Sequence, residues 1–143
     1  AALLKEAIPS GLRPIVVGTR CRMTAAGAPW TSRFGRKFSN FWVLVSGGPR
    51  LQDSQSGFRI YPLPEAMHLG TVARRYQFEV EILVRAGWSG LPVIEAPVDV
   101  DYGAAGERIS HFRPFVDFMR NAATFSRLIF RRLFSWLDFK DRR

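Results

Sequence analysis

The chain has 143 residues, 47% of them apolar, and its 21 basic and 12 acidic side chains give a net charge of +9. That length holds one domain with a core rather than two, and the apolar share excludes wholesale disorder. A single cysteine, Cys21, excludes an intrachain disulfide or a cysteine-rich zinc site, while the surplus of arginine predicts anionic partners: nucleic acid, acidic headgroups or phosphorylated metabolites.

In chain order, residues 1–8 read as the tail of a helix closed by Pro9-Ser10-Gly11. Pro14 to Thr19, "PIVVGT", is a β-branched run that predicts a buried strand ending at Arg20. A loop over 21–31 leads into "SRFGRKFSNFWVLV", where Phe34, Phe38, Phe41, Trp42 and Val45 recur at helical spacing. Arg33, Arg36, Lys37 and Asn40 fill the other side, so an amphipathic basic helix is expected, stopped by Gly47-Gly48-Pro49. A third short strand is expected near Phe58 to Tyr61 and a short helix near Pro64 to Leu69. "YQFEVEILVRA" from Tyr76 is helical, with Gly87 to Pro92 as the turn after it. "VIEAPVDVDY" from Val93 reads as a strand in which Pro97 marks an edge or a bulge. Gly103 to Ser110 is a small-residue loop, and Pro114 opens a long final helix. Strands alternating with helices predict an α/β domain with a partly parallel sheet.

Several residues could carry chemistry. Arg20 ends a strand, Arg59 follows the Ser56-Gly57 turn, and Arg108 lies in a loop beside Ser110 and His111. Element ends and loops are where α/β sheets place ligands, and guanidinium forks match phosphate oxygens. Three unrelated surface arginines would look the same. Glu79 and Glu81 sit two apart on a helix and so point in different directions, with Glu81 placed to pair with Arg85 at i,i+4. Asp99 and Asp101 read as a solvated strand face, since no third ligand accompanies them for a metal. His68 and His111 lack metal-ligand spacing. On the last helix Asp117, Arg120, Thr124, Arg127 and Arg131 trace a polar, net-basic stripe beside many aromatic residues. That pattern fits an interfacial helix on an anionic bilayer, and packing against another part of a domain would explain its apolar face alone. No run of about 18 apolar residues appears.

Taken together these segments resemble the C-terminal half of a family-2 glycosyltransferase, in the branch of dolichol-phosphate mannose synthase and bacterial polyprenyl-phosphate glycosyltransferases. The matching pieces are "VVGTR" at 16–20, "RFGRKFSN" at 33–40, "DSQSGFRIYPL" at 53–63, "YQFEVEILVRAG" at 76–87, "VIEAPVDVDY" at 93–102 and "GERISHFRP" at 106–114. They cover nearly the whole chain. The resemblance implies an α/β fold of incomplete GT-A type (Rossmann-like), a C-terminal half over residues 1–112, followed by a long amphipathic basic helix and tail over 113–143. It implies inverting transfer of a sugar from a nucleoside diphosphate to a lipid-linked phosphate, by a protein peripheral at the cytoplasmic face of an anionic membrane surface. Asp53 and Arg59 would then stand at the reacting centre. Arg20, with Arg108, Ser110 and His111, would engage donor phosphates, His111 standing where the family has a lysine. Arg33 and Arg36 would meet the acceptor phosphate.

The family's nucleotide apparatus and its Mg²⁺ or Mn²⁺ ligands lie upstream of these motifs. The expectation is therefore a fragment or split enzyme, with metal ligands outside this chain, a missing N-terminal half as partner, and no activity alone. If the acceptor were a hydroxyl, Asp53, Glu79 or Glu81 would have to act as base. Replacing Arg59 by Ala in a full-length version is expected to cost turnover and leave the fold intact. The alternatives are a non-catalytic peripheral membrane module or a nucleic-acid-binding basic module, although no nucleic-acid partner is expected because no recognised binding motif is present.

Overall fold

The computed structural model describes residues 13–20, 30–99 and 114–140. Within them the chain forms β1 (Ile15–Arg20), α1 (Trp30–Val45), β2 (Arg59–Ile60), α2 (Glu65–His68), α3 (Tyr76–Ser89), β3 (Val93–Val98) and α4 (Pro114–Lys140). The three strands make one mixed sheet in the order β2-β1-β3. β1 runs parallel to β3, with Ile15 opposite Val93 and Arg20 opposite Val98, and antiparallel to the short β2, with Val17 opposite Arg59. The expected α/β class and partly parallel sheet are thus observed. The expected helix over 1–8 and the loop over 103–110 lie outside the described residues.

β1 is central because "IVV" gives it apolar side chains on both faces. Ile15, Val16 and Val17 are fully buried. Ile15 and Val17 join the main core with Val43 of α1, Val80, Ile82, Leu83, Val84 and Ala86 of α3, and Phe125 and Leu128 of α4. Val16 faces the other way, with Ala96 and the partly buried Ile60, Ile94 and Val98. β3 sits at an edge among the described strands, as Pro97 requires: proline has no N–H to offer a further neighbour.

α1 ends where Gly47 and Gly48 were expected to stop it. The end of α3 differs from expectation. Gly87 lies inside the helix, and the chain turns at Gly90, whose φ of 68° is left-handed and whose neighbour Leu91 donates to Ala86 O at 2.9 Å. Gly87 serves packing instead. A Cβ there would lie 2.5 Å from Gly47 O and 2.9 Å from Gly48 Cα, so its absence lets the end of α1 rest directly on α3.

Candidate functional site: the turn at the carboxyl end of β1

Residues 51–59 form a turn whose floor is buried although its sequence is polar. Asp53 and Ser54 are wholly inaccessible and Ser56 nearly so. Buried polar groups need partners, and three elements provide them. From α1, Asn40 donates through Nδ2 to Gln52 O at 2.7 Å and accepts from Ser54 N at 2.9 Å, while the Ser39 and Ser54 hydroxyls lie 2.8 Å apart. From β3, the Glu95 carboxylate accepts from Gln52 N at 2.8 Å, Asp53 N at 3.0 Å and Thr19 Oγ1 at 2.9 Å. From β2, Arg59 donates to Ser56 O at 2.7 Å, Ser54 O at 2.7 Å and Glu79 O at 2.6 Å.

Asp53 uses its carboxylate on one partner. Arg20 grips it with Nε at 2.6 Å and an amino nitrogen at 2.8 Å, a bidentate pair, and the Arg20 backbone N–H approaches the same carboxylate at 3.4 Å. This pair stands at the carboxyl end of β1, level with the end of β3. Open α/β sheets bind ligands at that end.

Glu79 closes the site from the first turn of α3. Its Oε1 lies 3.7 Å from where a Cβ on Gly57 would be, and its carboxyl accepts no hydrogen bond among the described residues. Burial pushes its pKa above the ordinary glutamate value, opposed in part by the charges of Arg59 and Arg20. Two residues on, Glu81 points the other way, as its spacing predicts, but into the core rather than solvent. It is fully buried and accepts from Arg85 Nε at 2.7 Å, Ala73 N at 2.8 Å and Arg127 of α4 at 3.0 Å. Burial pushes this carboxyl up as well, yet the Arg85 and Ala73 hydrogen bonds and the charges of Arg127 and Arg85 outweigh it and hold the pKa below the ordinary value.

Of the sequence-derived site residues, the structure brings Arg20 and Asp53 into direct contact and places Arg59 beside them. Arg59 points three of its five N–H groups at backbone carbonyls, and the other two engage no described residue. On α1, Arg36 lies one turn and Arg33 about two turns before Ser39 and Asn40; Arg33 is exposed and Arg36 half-buried. Arg108, Ser110 and His111 fall outside the described residues, as does Asp101. The polar stripe expected on α4 is divided: Thr124 is buried and donates to Arg120 O at 3.0 Å, and Arg127 turns to Glu81.

Sequence reasoning missed Ser39, Thr19 and Glu95 and read Asn40 as one polar residue on a basic face. An acidic side chain in an otherwise apolar strand was the available signal for Glu95. Among the described residues no group of three His, Cys, Asp or Glu side chains could hold a metal ion. With Asp53 and Glu95 committed to Arg20 and to N–H and hydroxyl donors, these residues do not fit a Mg²⁺ or Mn²⁺ cage.

The described residues of α1 and α4 expose apolar and basic side chains. Trp42 of α1 stacks on Phe125 of α4, with centroids 6.4 Å apart, and Phe34, Phe38 and Phe41 extend the aromatic row along α1. Phe34, Phe41, Leu44 and Val45 on α1, and Met119, Phe130, Leu133 and Phe134 on α4, are each about half exposed or more. Arg33, Lys37, Arg127, Arg131 and Arg132 are exposed on the same two helices. No helix among the described residues is long and apolar enough to cross a membrane. The chain matches no family model, no curated protein and no solved structure.

Proposed function

We propose that this chain is the C-terminal half of a GT-A-type domain, part of an inverting glycosyltransferase that moves a sugar from a nucleoside diphosphate to a polyprenyl- or dolichyl-phosphate at a membrane surface. The observation that carries the reading is the Asp53–Arg20 fork at the carboxyl end of β1, which joins "VVGTR" to "DSQSGFR", two of the segments that carry the resemblance. A phosphate-monoester acceptor is largely dianionic at neutral pH, its second pKa being about 6. Its oxygen can attack the anomeric carbon without a strong base, and the bond to the diphosphate breaks with the electron pair leaving on the diphosphate.

The protein then has two tasks. It must hold two anionic groups close together, and it must offer fixed positive charge to the leaving group. In this reading Asp53 is a positioning residue that fixes the plane of Arg20, and Arg59 presents its two remaining N–H groups while bracing the turn. Mg²⁺ or Mn²⁺, supplied with the donor by an N-terminal half, would neutralise the diphosphate. The exposed aromatic residues of α1 and α4, with their arginines, suit a peripheral seat on an anionic, cytoplasmic leaflet. Arg33 and Arg36 would meet the acceptor phosphate there.

The test is cosedimentation of the chain with neutral vesicles doped with polyprenyl phosphate or with the matching polyprenol. Selective retention by the phosphate-bearing vesicles, reduced in Arg33→Ala/Arg36→Ala, is expected. Equal retention by both contradicts the acceptor assignment.

A further inference from the structure

Four carboxylates surround the turn and α3, and three have committed partners. Asp53 is held by Arg20, Glu95 by Thr19 and two backbone N–H groups, and Glu81 by Arg85, Arg127 and Ala73 N. Glu79 differs. It is half-buried, it faces the small residue Gly57, and it accepts no hydrogen bond among the described residues. The charged groups acting on it are Arg59 from β2 and Arg20 from β1. Arg20 already answers Asp53, so Arg59 is the cation whose charge Glu79 balances. Among the described residues Arg59 makes no direct ion pair with a carboxylate: its three hydrogen bonds go to carbonyls. An anion arriving at the two remaining Arg59 N–H groups therefore meets the negative charge of Glu79.

We infer that Glu79 takes up a proton when a phosphate-like dianion binds beside Arg59, and that the protonated carboxyl then donates a hydrogen bond to that anion. The inference rests on the phosphate-handling reading of this site. Two like charges beside one guanidinium repel, and protonating the weaker acid removes the repulsion while turning an acceptor into a donor. Burial already disfavours the ionised form of this group. The balance is simple: one proton passes from solvent to a Glu79 carboxyl oxygen on binding and returns when the anion leaves. Where Glu79 is ionised in the free protein, affinity should fall about tenfold for each unit rise in pH. Glu79 is in this account a positioning residue for the bound phosphate.

Inorganic sulfate is the probe, because it stays doubly charged over the working range and contributes no proton of its own. Calorimetry on the full chain, in two buffers of different ionisation heat, counts the protons taken up per sulfate bound. The expected result is uptake approaching one proton per sulfate at pH values where Glu79 is ionised in the free protein. Glu79→Gln, whose amide donates as the protonated acid would, should bind with no uptake and with pH-independent affinity, at least about tenfold tighter than wild type one pH unit above the Glu79 pKa. A thermal melt checks that the variant is folded. Sulfate binding without proton uptake in the wild type overturns the inference and leaves the phosphate-handling reading standing. Uptake that persists in Glu79→Gln belongs to another group, such as a histidine, and overturns it too, as does weaker binding by the variant. Absence of sulfate binding at every pH overturns both.

Discussion

Replacing Arg59 by Ala removes three hydrogen bonds at once, to Ser54 O, Ser56 O and Glu79 O. Those bonds tie the 53–57 turn to the start of α3, so the sequence-based expectation of an intact fold has to be revised. Hydrogen bonds from a charged donor contribute about 1.5–3 kcal/mol each when buried. Arg59 is only half-buried, and water can reach some of the carbonyls it leaves, so about 1 kcal/mol per bond is the better figure. The total is roughly 3 kcal/mol, a large part of the about 5–15 kcal/mol that holds a domain together. With a urea m-value of about 2 kcal/mol/M, the unfolding midpoint should fall by roughly 1.5 M. Arg59→Lys should recover less than half of this, since one ammonium cannot span three carbonyls set around a planar fork. Urea denaturation followed by tryptophan fluorescence and far-UV circular dichroism measures it. An Arg59→Ala midpoint within about 0.3 M of wild type, at unchanged m, refutes the view of Arg59 as a brace.

Other outcomes follow from the same contacts. Glu81→Gln leaves Arg85 buried beside a neutral partner and should cost about 3–5 kcal/mol at neutral pH, read in the same urea experiment. The two glutamates should also give opposite pH dependences. The pKa of Glu81 is lowered on folding, so its stabilisation is complete above the ordinary value of 4.5 and is lost as the pH falls through the folded value. That of Glu79 is raised, so stability declines as the pH climbs from 4.5 through the folded value, and Glu79→Gln should remove this decline in pH-dependent melts. Gly87→Ala gains about 1 kcal/mol of helix propensity but drives a methyl into the Gly47–Gly48 backbone. Overpacking costs about 1–3 kcal/mol or more, so a net loss of roughly 1–2 kcal/mol is expected; a stabilised variant would show that the two helices separate freely.

Much of the fold could be read from the sequence because burial leaves a periodic trace. The run of Ile15, Val16 and Val17 marks a strand buried on both faces, and the aromatic spacing from Phe34 to Trp42 marks α1. Gly87 could not be read in this way. A glycine that lets two helices touch looks the same in sequence as one that ends a helix, and only Gly90 has the left-handed φ that ends α3. The stripe on α4 was misjudged for a related reason. Thr124 satisfies its hydroxyl on Arg120 O, and so it can be buried at a position its polarity assigns to solvent.

At the site, Asp53, Arg20 and Arg59 could each be picked out as candidate residues, and the structure sets Arg20 on Asp53. Which arginine answers which acceptor was not visible, because β1 and the turn meet across 33 residues of chain and the choice is made by strand register. Glu95 and Asn40 were harder still. Their work is to satisfy backbone groups of a distant turn, and no local pattern records that.

The most direct test of the central claim is sugar transfer itself. The gene product that contains this chain is incubated with labelled nucleotide sugars and polyprenyl-phosphate vesicles, and label is counted in the organic phase. The account predicts transfer from at least one donor and its loss, by about a hundredfold or more, in Asp53→Asn, which keeps the side chain's size while releasing the Arg20 fork. Transfer that Asp53→Asn leaves unchanged, or no transfer from any donor, would contradict it.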